Sequence, residues 1–185
     1  MISYQGSVCR RQHRVLRASQ LYPKRDMPTD LLTLLRRDHS DLQKELTQLL
    51  DPSASVAQLR SALDGVRLGL TAHAEAEDIV LARYDSVPSL QMAIAQARAA
   101  HLAQEHALSA LVCSRPGTST WRNQAAHLRE LVRYHALQEE ATLLPALQHH
   151  LTEYPRLAGA FATERLRQLS MLQPSAQYVM SALAG

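Results

Sequence analysis

Residues 73–81 read HAEAEDIVL, and residues 135–143 read HALQEEATL. Both stretches carry a histidine followed four residues later by a glutamate, and both end in leucine. Residues four apart lie one turn apart on the same face of an α-helix. Each stretch therefore predicts a helix that presents an imidazole and a carboxylate side by side.

The two stretches belong to a longer internal repeat with a constant offset of 62 residues. Within each half, 34 residues separate the first histidine from the second. The corresponding pairs are His39 and His101, His73 and His135, and Glu77 and Glu139. This repeat predicts two helical hairpins related by a pseudo-twofold axis.

Apolar residues recur every three or four positions through four long stretches, which predict helices over residues 30–50, 54–84, 89–113 and 120–150. A shorter pair of helices is predicted after residue 155. The chain has 185 residues with 46% hydrophobic and only 4% aromatic residues, which favours helices over a β-sandwich or barrel. Because short connections between long helices make antiparallel neighbours, we expect an all-α, up-down-up-down four-helix bundle.

Several residues are expected to shape the ends and the course of these helices. Pro145 removes one backbone hydrogen bond and predicts a bend in the fourth helix. The predicted N-caps are Ser53 or Ser55, Ser89, and Ser119 or Thr120.

The chain divides into a basic N-terminal arm over residues 1–27, the bundle over 28–150, and a C-terminal helical extension over 151–185. Residues 1–25 carry six basic residues and no acid, whereas the remainder carries 14 basic and 17 acidic residues. The arm is expected to be disordered, an extension upstream of a start at Met27, or a short targeting segment. The C-terminal extension either crosses the bundle or forms a homodimer contact.

Composition also indicates the cellular compartment and the kinds of partner to expect. Two cysteines are too few for a disulfide scaffold and suit a reducing compartment, so a cytoplasmic protein is expected. The sequence contains no run of 18 apolar residues, which disfavours a membrane partner. A nucleic-acid partner is also disfavoured, because the excess of basic residues is confined to the arm.

A layer of polar residues interrupts the apolar stripes of all four predicted helices. Four inward imidazoles and two inward carboxylates at one level would lose several kcal/mol of solvation if they stayed unpaired. A metal ion compensates them, and this set of nitrogen and oxygen ligands suits iron, manganese or zinc. Six ligands around a twofold axis suit two ions. We expect His39 and His73 to hold one ion and His101 and His135 the other, with Glu77 and Glu139 placed to bridge them.

Over residues 28–150 the chain resembles the hemerythrin-like HHE cation-binding domains. The matching residues are Asp38-His39, His73-x-x-x-Glu77, His101, and His135-x-x-x-Glu139-Glu140-x-x-x-Leu144-Pro145. The resemblance implies a four-helix bundle with a non-haem di-iron centre that meets dioxygen, peroxide or nitric oxide. The function it implies is binding, sensing or detoxifying one of these small ligands.

Two positions and the N-terminal region depart from the patterns of particular family members. Glu105 and Glu139 stand where the dioxygen-carrying hemerythrins look to have a histidine and an aspartate. Added negative charge favours ferric iron and disfavours reversible oxygen carriage. Glu105 is a candidate seventh ligand or a nearby base. Residues 1–27 hold only Cys9, which disfavours the iron-sulfur repair role of members with a cysteine-containing N-terminal module.

Two alternatives from other functional classes stay open. One is an iron-handling or iron-sensing module without turnover, and the other is a metal-free structural bundle in which the repeated histidines are incidental. The sequence does not decide between an enzyme and a binding protein.

Overall fold

The computed structural model describes residues 30–150 and 154–172. Its six α-helices are α1 (Leu31–Gln48), α2 (Val56–Leu81), α3 (Pro88–Val112), α4 (Ser119–Gln138), α5 (Leu144–Gln148) and α6 (Tyr154–Leu172). A 3₁₀ turn (Ala82–Tyr84) extends α2, and a π-helical turn (Glu139–Leu143) joins α4 to α5. The described ranges hold no β-strand, so the all-α, hemerythrin-like bundle is confirmed. The predicted N-terminal arm and the last helix of the C-terminal pair lie outside the described residues.

The caps fix where the helices begin. The predicted cap Ser55 is confirmed, because its hydroxyl accepts the backbone N–H of Gln58 while the Gln58 side chain accepts the backbone N–H of Ser55. Ser89 is not a cap, since Pro88 already occupies the first turn of α3. The cap of α4 is Thr118, slightly earlier than predicted.

Apolar packing lies on both sides of the histidine layer. One cluster includes Leu35, Val80, Ile94 and Leu144, and the other includes Leu46, Val66, Leu111, Trp121 and Leu128. Along α1, α2 and α3 the histidine falls between a residue of one cluster and a residue of the other, and His135 lies between Val132 of α4 and Leu143 of the π-helical turn. The core therefore holds the polar layer in place from above and below.

Near Pro145, where the sequence predicts a bend, the structure has a π-helical turn. The backbone N–H of Leu144 donates to the carbonyl of Glu139, five residues earlier. Pro145 has no backbone N–H to donate to a helical hydrogen bond, which favours a local change in hydrogen-bond register. Such turns occur often at functional sites, and this one carries Glu139 in a buried position.

The C-terminal helix α6 packs against α2 and α1. Leu157, Ala158 and Phe161 form its buried face and join the cluster that contains Leu35. In the described part of the extension, then, α6 packs on the chain's own bundle. Among the described residues, no helix has the length and apolar character that a membrane crossing needs.

Candidate metal centre

Six titratable side chains converge in the middle of the bundle. They are His39 of α1, His73 and Glu77 of α2, His101 of α3, His135 of α4 and Glu139 of the π-helical turn. All six are buried, from His73 with no exposed surface to His101, which is 7% exposed. The helices therefore bring the two sequence halves together at one level.

The donor atoms form two overlapping groups of four, and within each group all of these atoms lie within 4.8 Å of one another. The first group is His39, His73, His135 and Glu139, and the second is His73, Glu77, His101 and His135. Two such groups provide two neighbouring positions for cations.

The rings are closest in two pairs. The centroids of His39 and His73 are 4.9 Å apart, and those of His101 and His135 are 4.7 Å apart. Ring centroids from different pairs lie 5.4–5.8 Å apart, as in His39 with His135 and His73 with His101 or His135. The Nε2 atoms of His101 and His135 lie 3.2 Å apart, a separation that suits two nitrogens directed at a common ion.

Each carboxylate lies between the two histidine pairs. Glu77 Oε2 is 3.5 Å from His73 Nε2 and 3.9 Å from His101 Nε2. The Glu139 carboxylate faces one histidine of each pair as well, with Oε2 3.3 Å from His39 Nε2 and Oε1 3.6 Å from His135 Nε2. This placement is suited to carboxylates that bridge two ions.

Burial sets the protonation of the cluster. It lowers the pKa of His39 and of His135, so both rings are neutral and present a nitrogen lone pair. It raises the pKa of Glu77 well above the usual range, with the nearby Glu139 carboxylate adding to the effect. Burial also raises the pKa of Glu139 to about 7. A cation bound here must therefore displace protons from the carboxylates but not from these histidines.

Several buried atoms of the cluster have no hydrogen-bond partner within the protein. They include Nε2 of His39 and of His73, while the buried carboxyl groups of Glu77 and Glu139 face each other and the histidines of the cluster. Unsatisfied buried acceptors are costly, and a cation satisfies them together. The residues fit a metal ion on this observation and on the chemistry of the donor set.

Two of the histidines are oriented by carboxylates outside the cluster. His73 Nδ1 lies 3.0 Å from Asp38 Oδ2, and His101 Nδ1 lies 3.1 Å from Asp78 Oδ1. A carboxylate on Nδ1 fixes the tautomer and turns Nε2 toward the centre. Asp38 also pairs with Arg165 of α6. Burial alone would raise the pKa of Asp38, but His73 and Arg165 outweigh it and lower that pKa.

The outer partners break the twofold repeat. The residue 62 positions after Asp38 is Ala100, which has no side chain to orient His135. Nδ1 of His135 is buried without a partner. Nδ1 of His39 also lacks a partner, so each pair contains one histidine that an outer carboxylate orients. Helix α6 covers His73: the Phe161 ring centroid lies 6.1 Å from that of His73.

Glu105, the candidate seventh ligand or nearby base, lies outside the converging group. It is exposed and lines a cleft between α2 and α3. It belongs to neither group of converging donor atoms. Sequence reasoning missed Arg165 altogether, because no spacing signal connects α6 to the repeat.

Comparison with known proteins adds one match. A family model described as the Hemerythrin HHE cation binding domain matches residues 30–147. No curated protein and no solved structure matches the chain. The matched region contains the whole cluster and stops short of α6.

Proposed function

The chain belongs to the hemerythrin HHE cation-binding family, and from that premise we propose that it holds a non-haem di-iron centre that binds, senses or detoxifies dioxygen, peroxide or nitric oxide. In this proposal His39 and His73 hold one iron and His101 and His135 the other, while Glu77 and Glu139 bridge them. Manganese or zinc are possible substitutes for iron. The coarser property, a metal-binding helical domain, rests directly on the family and on the buried histidine and glutamate cluster.

One observation carries the proposal: each carboxylate faces one histidine of each pair. Two imidazoles and one oxygen from each bridge give each ion about four protein ligands, whereas iron in such sites commonly takes up to about six. Open positions are what a small ligand needs to bind. When bound, the iron pair supplies redox chemistry at those positions. The protein's own residues orient the ligands and exclude water.

The unpaired buried acceptors argue against a metal-free structural bundle. A folded protein gains nothing from leaving these acceptors unsatisfied. A second candidate, an iron-responsive module without turnover, is favoured by a different contact. Arg165 connects α6 to His73 through Asp38, so occupancy of the centre and docking of α6 share an ion pair.

The test is a visible spectrum of protein loaded anaerobically with Fe(II), recorded before and after mixing with dioxygen, hydrogen peroxide or nitric oxide. We expect at least one reagent to produce new iron-dependent bands. His101→Ala should abolish them, whereas His106→Ala, which alters an exposed histidine of the same helix, should retain them. A loaded protein whose spectrum responds to none of the three reagents contradicts the proposal and leaves the iron-responsive module.

A further inference from the structure

The metal cluster has one partly open side. His101 is its most exposed member, and it lines a cleft of about 280 Å³ between α2 and α3. Where α6 packs against α1 and α2, it covers His73 with Phe161 and with the ion pair of Arg165 and Asp38. The cleft therefore leads toward the cation position that His101 and His135 form.

The charges on the walls of the cleft are unbalanced. Glu75 and Glu105 are exposed and Asp78 is partly exposed. Arg98 is the cation among the residues that line the cleft, and its guanidinium lies 2.9 Å from Asp85, outside the cleft, and 4.0 Å from Asp78 within it. Arg167 of α6 interacts electrostatically with Glu75. The lining residues thus include three carboxylates and one cation. The cleft therefore offers a negative potential that attracts cations and raises their local concentration.

An independent feature lies inside the cleft. Gln104 is only 1% exposed, and both its amide oxygen and its amide nitrogen lack a hydrogen-bond partner. It follows His101 by three residues, so the two side chains lie on neighbouring parts of one helix face. A buried amide without partners needs an explanation. A water molecule both donates and accepts hydrogen bonds, so a Gln104 amide that turns toward the cleft would find a suitable partner in the water bound to an arriving cation.

The size of the cleft suits the same ligand. Six waters around a divalent cation occupy roughly 180 Å³ at about 30 Å³ each, which is less than the volume of the cleft. The exposed carboxylates lie at the mouth and His101 lies at the inner end. A hydrated ion can thus move from carboxylate oxygens to imidazole nitrogen.

We infer that the cleft between α2 and α3 is the route by which a hydrated divalent cation reaches the buried centre, with Glu75 and Glu105 attracting it and Gln104 receiving its water shell. This inference rests on the proposed metal centre. It assigns Glu105 to loading rather than to the final ligand set. The inference also implies that the cation position formed by His101 and His135 is filled before the other one.

The test measures loading rate and final occupancy separately. Metal-free protein is mixed with Co²⁺ in a stopped-flow instrument, and the visible absorbance of bound Co²⁺ is followed at low and at high ionic strength. We expect Glu75→Gln/Glu105→Gln to load about tenfold more slowly at low ionic strength, with an unchanged number of bound ions. At high salt its rate should approach that of the parent chain.

A matched control is Glu45→Gln/Asp64→Asn, which removes two carboxylates outside the cleft and should load at the parental rate. Gln104→Leu keeps every charge and should also load more slowly. If the cleft variants load as fast as the parent at low salt, the inference is overturned while the metal centre stands. That result would fit a cleft that admits only a neutral ligand. If the parent binds no Co²⁺, the proposed function fails and the inference fails with it.

Discussion

Replacing Glu139 by glutamine should stabilise the metal-free protein, and the gain should grow with pH. The pKa of this carboxyl is raised from 4.5 to about 7 because it is buried. A raised pKa in the folded state gives stability that is present below pH 4.5 and is lost as pH rises through 7. Glutamine cannot ionise, so it does not incur this loss.

The linkage relation gives the magnitude. For values of 4.5 unfolded and about 7 folded, ionisation of Glu139 destabilises the folded state by about 1 kcal/mol at pH 5 and about 3 kcal/mol at pH 8. The advantage of Glu139→Gln should therefore increase by roughly 2 kcal/mol over this range. For a chain of this size that corresponds to a change of about 4–8 °C in Tm.

The assay is thermal and urea unfolding of chelator-treated protein at pH 5 and pH 8, followed by circular dichroism. Glu130→Gln, which alters an exposed carboxylate of α4, is the control and should show no such gain. With metal present the order should reverse, because Glu139→Gln loses a ligand. A metal-free Glu139→Gln protein with no pH-dependent advantage over the parent would refute the reasoning.

Three further outcomes follow from the same contacts. Phe161→Ala removes a fully packed ring from the α6 interface, and urea unfolding should show a loss of about 3–5 kcal/mol; a loss below 1 kcal/mol would show that α6 contributes little to the fold. Asp38→Asn should weaken metal binding about 10- to 100-fold in competition titrations with a chromophoric chelator, because the side chain no longer orients His73. Arg165→Met should weaken metal binding less. Equal affinity in the parent and in both variants would contradict the orienting role of Asp38. Metal affinity should rise with pH by at least about a factor of ten per pH unit below 7, since Glu139 must release its proton and Glu77, whose pKa is also raised, must release another. Calorimetry in buffers of different ionisation enthalpy should detect the released protons; a flat profile would contradict the raised pKa values.

The helical repeat was sufficient to predict the fold and the residues that converge. An offset of 62 residues with an internal spacing of 34 predicted that His39, His73, His101 and His135 lie at one level of an antiparallel bundle. The structure brings these four together with both predicted glutamates. Long helices with inward polar residues give a strong periodic signal, so little beyond the sequence was needed here.

The spacing rule gave different results for two glutamates that follow a histidine by four residues. Four residues on a regular helix advance the side chain by about 400°, or 40° past the starting direction. His73 lies at the centre of the buried face, so Glu77 remains inside. His101 lies nearer the edge, and the same rotation carries Glu105 to the surface. Sequence alone does not give this angular position.

The contact between Arg165 and Asp38 and the π-helical turn could not be predicted from the sequence for another reason. Arg165 lies outside the repeat, on a helix whose docking position depends on packing of Leu157 and Phe161. The π-helical turn that carries Glu139 also depends on how the chain accommodates Pro145 within the packed bundle. Both features result from tertiary contacts rather than local periodicity.

The most direct test of the central claim is the number of iron ions per chain. Metal-free protein is loaded anaerobically with excess Fe(II), freed of unbound metal by gel filtration, and measured by elemental analysis. The account predicts about two irons per chain, retained in His106→Ala and reduced in the double variant His73→Ala/His135→Ala. One iron or none in the folded parent chain, or an unchanged content in the double variant, would contradict it.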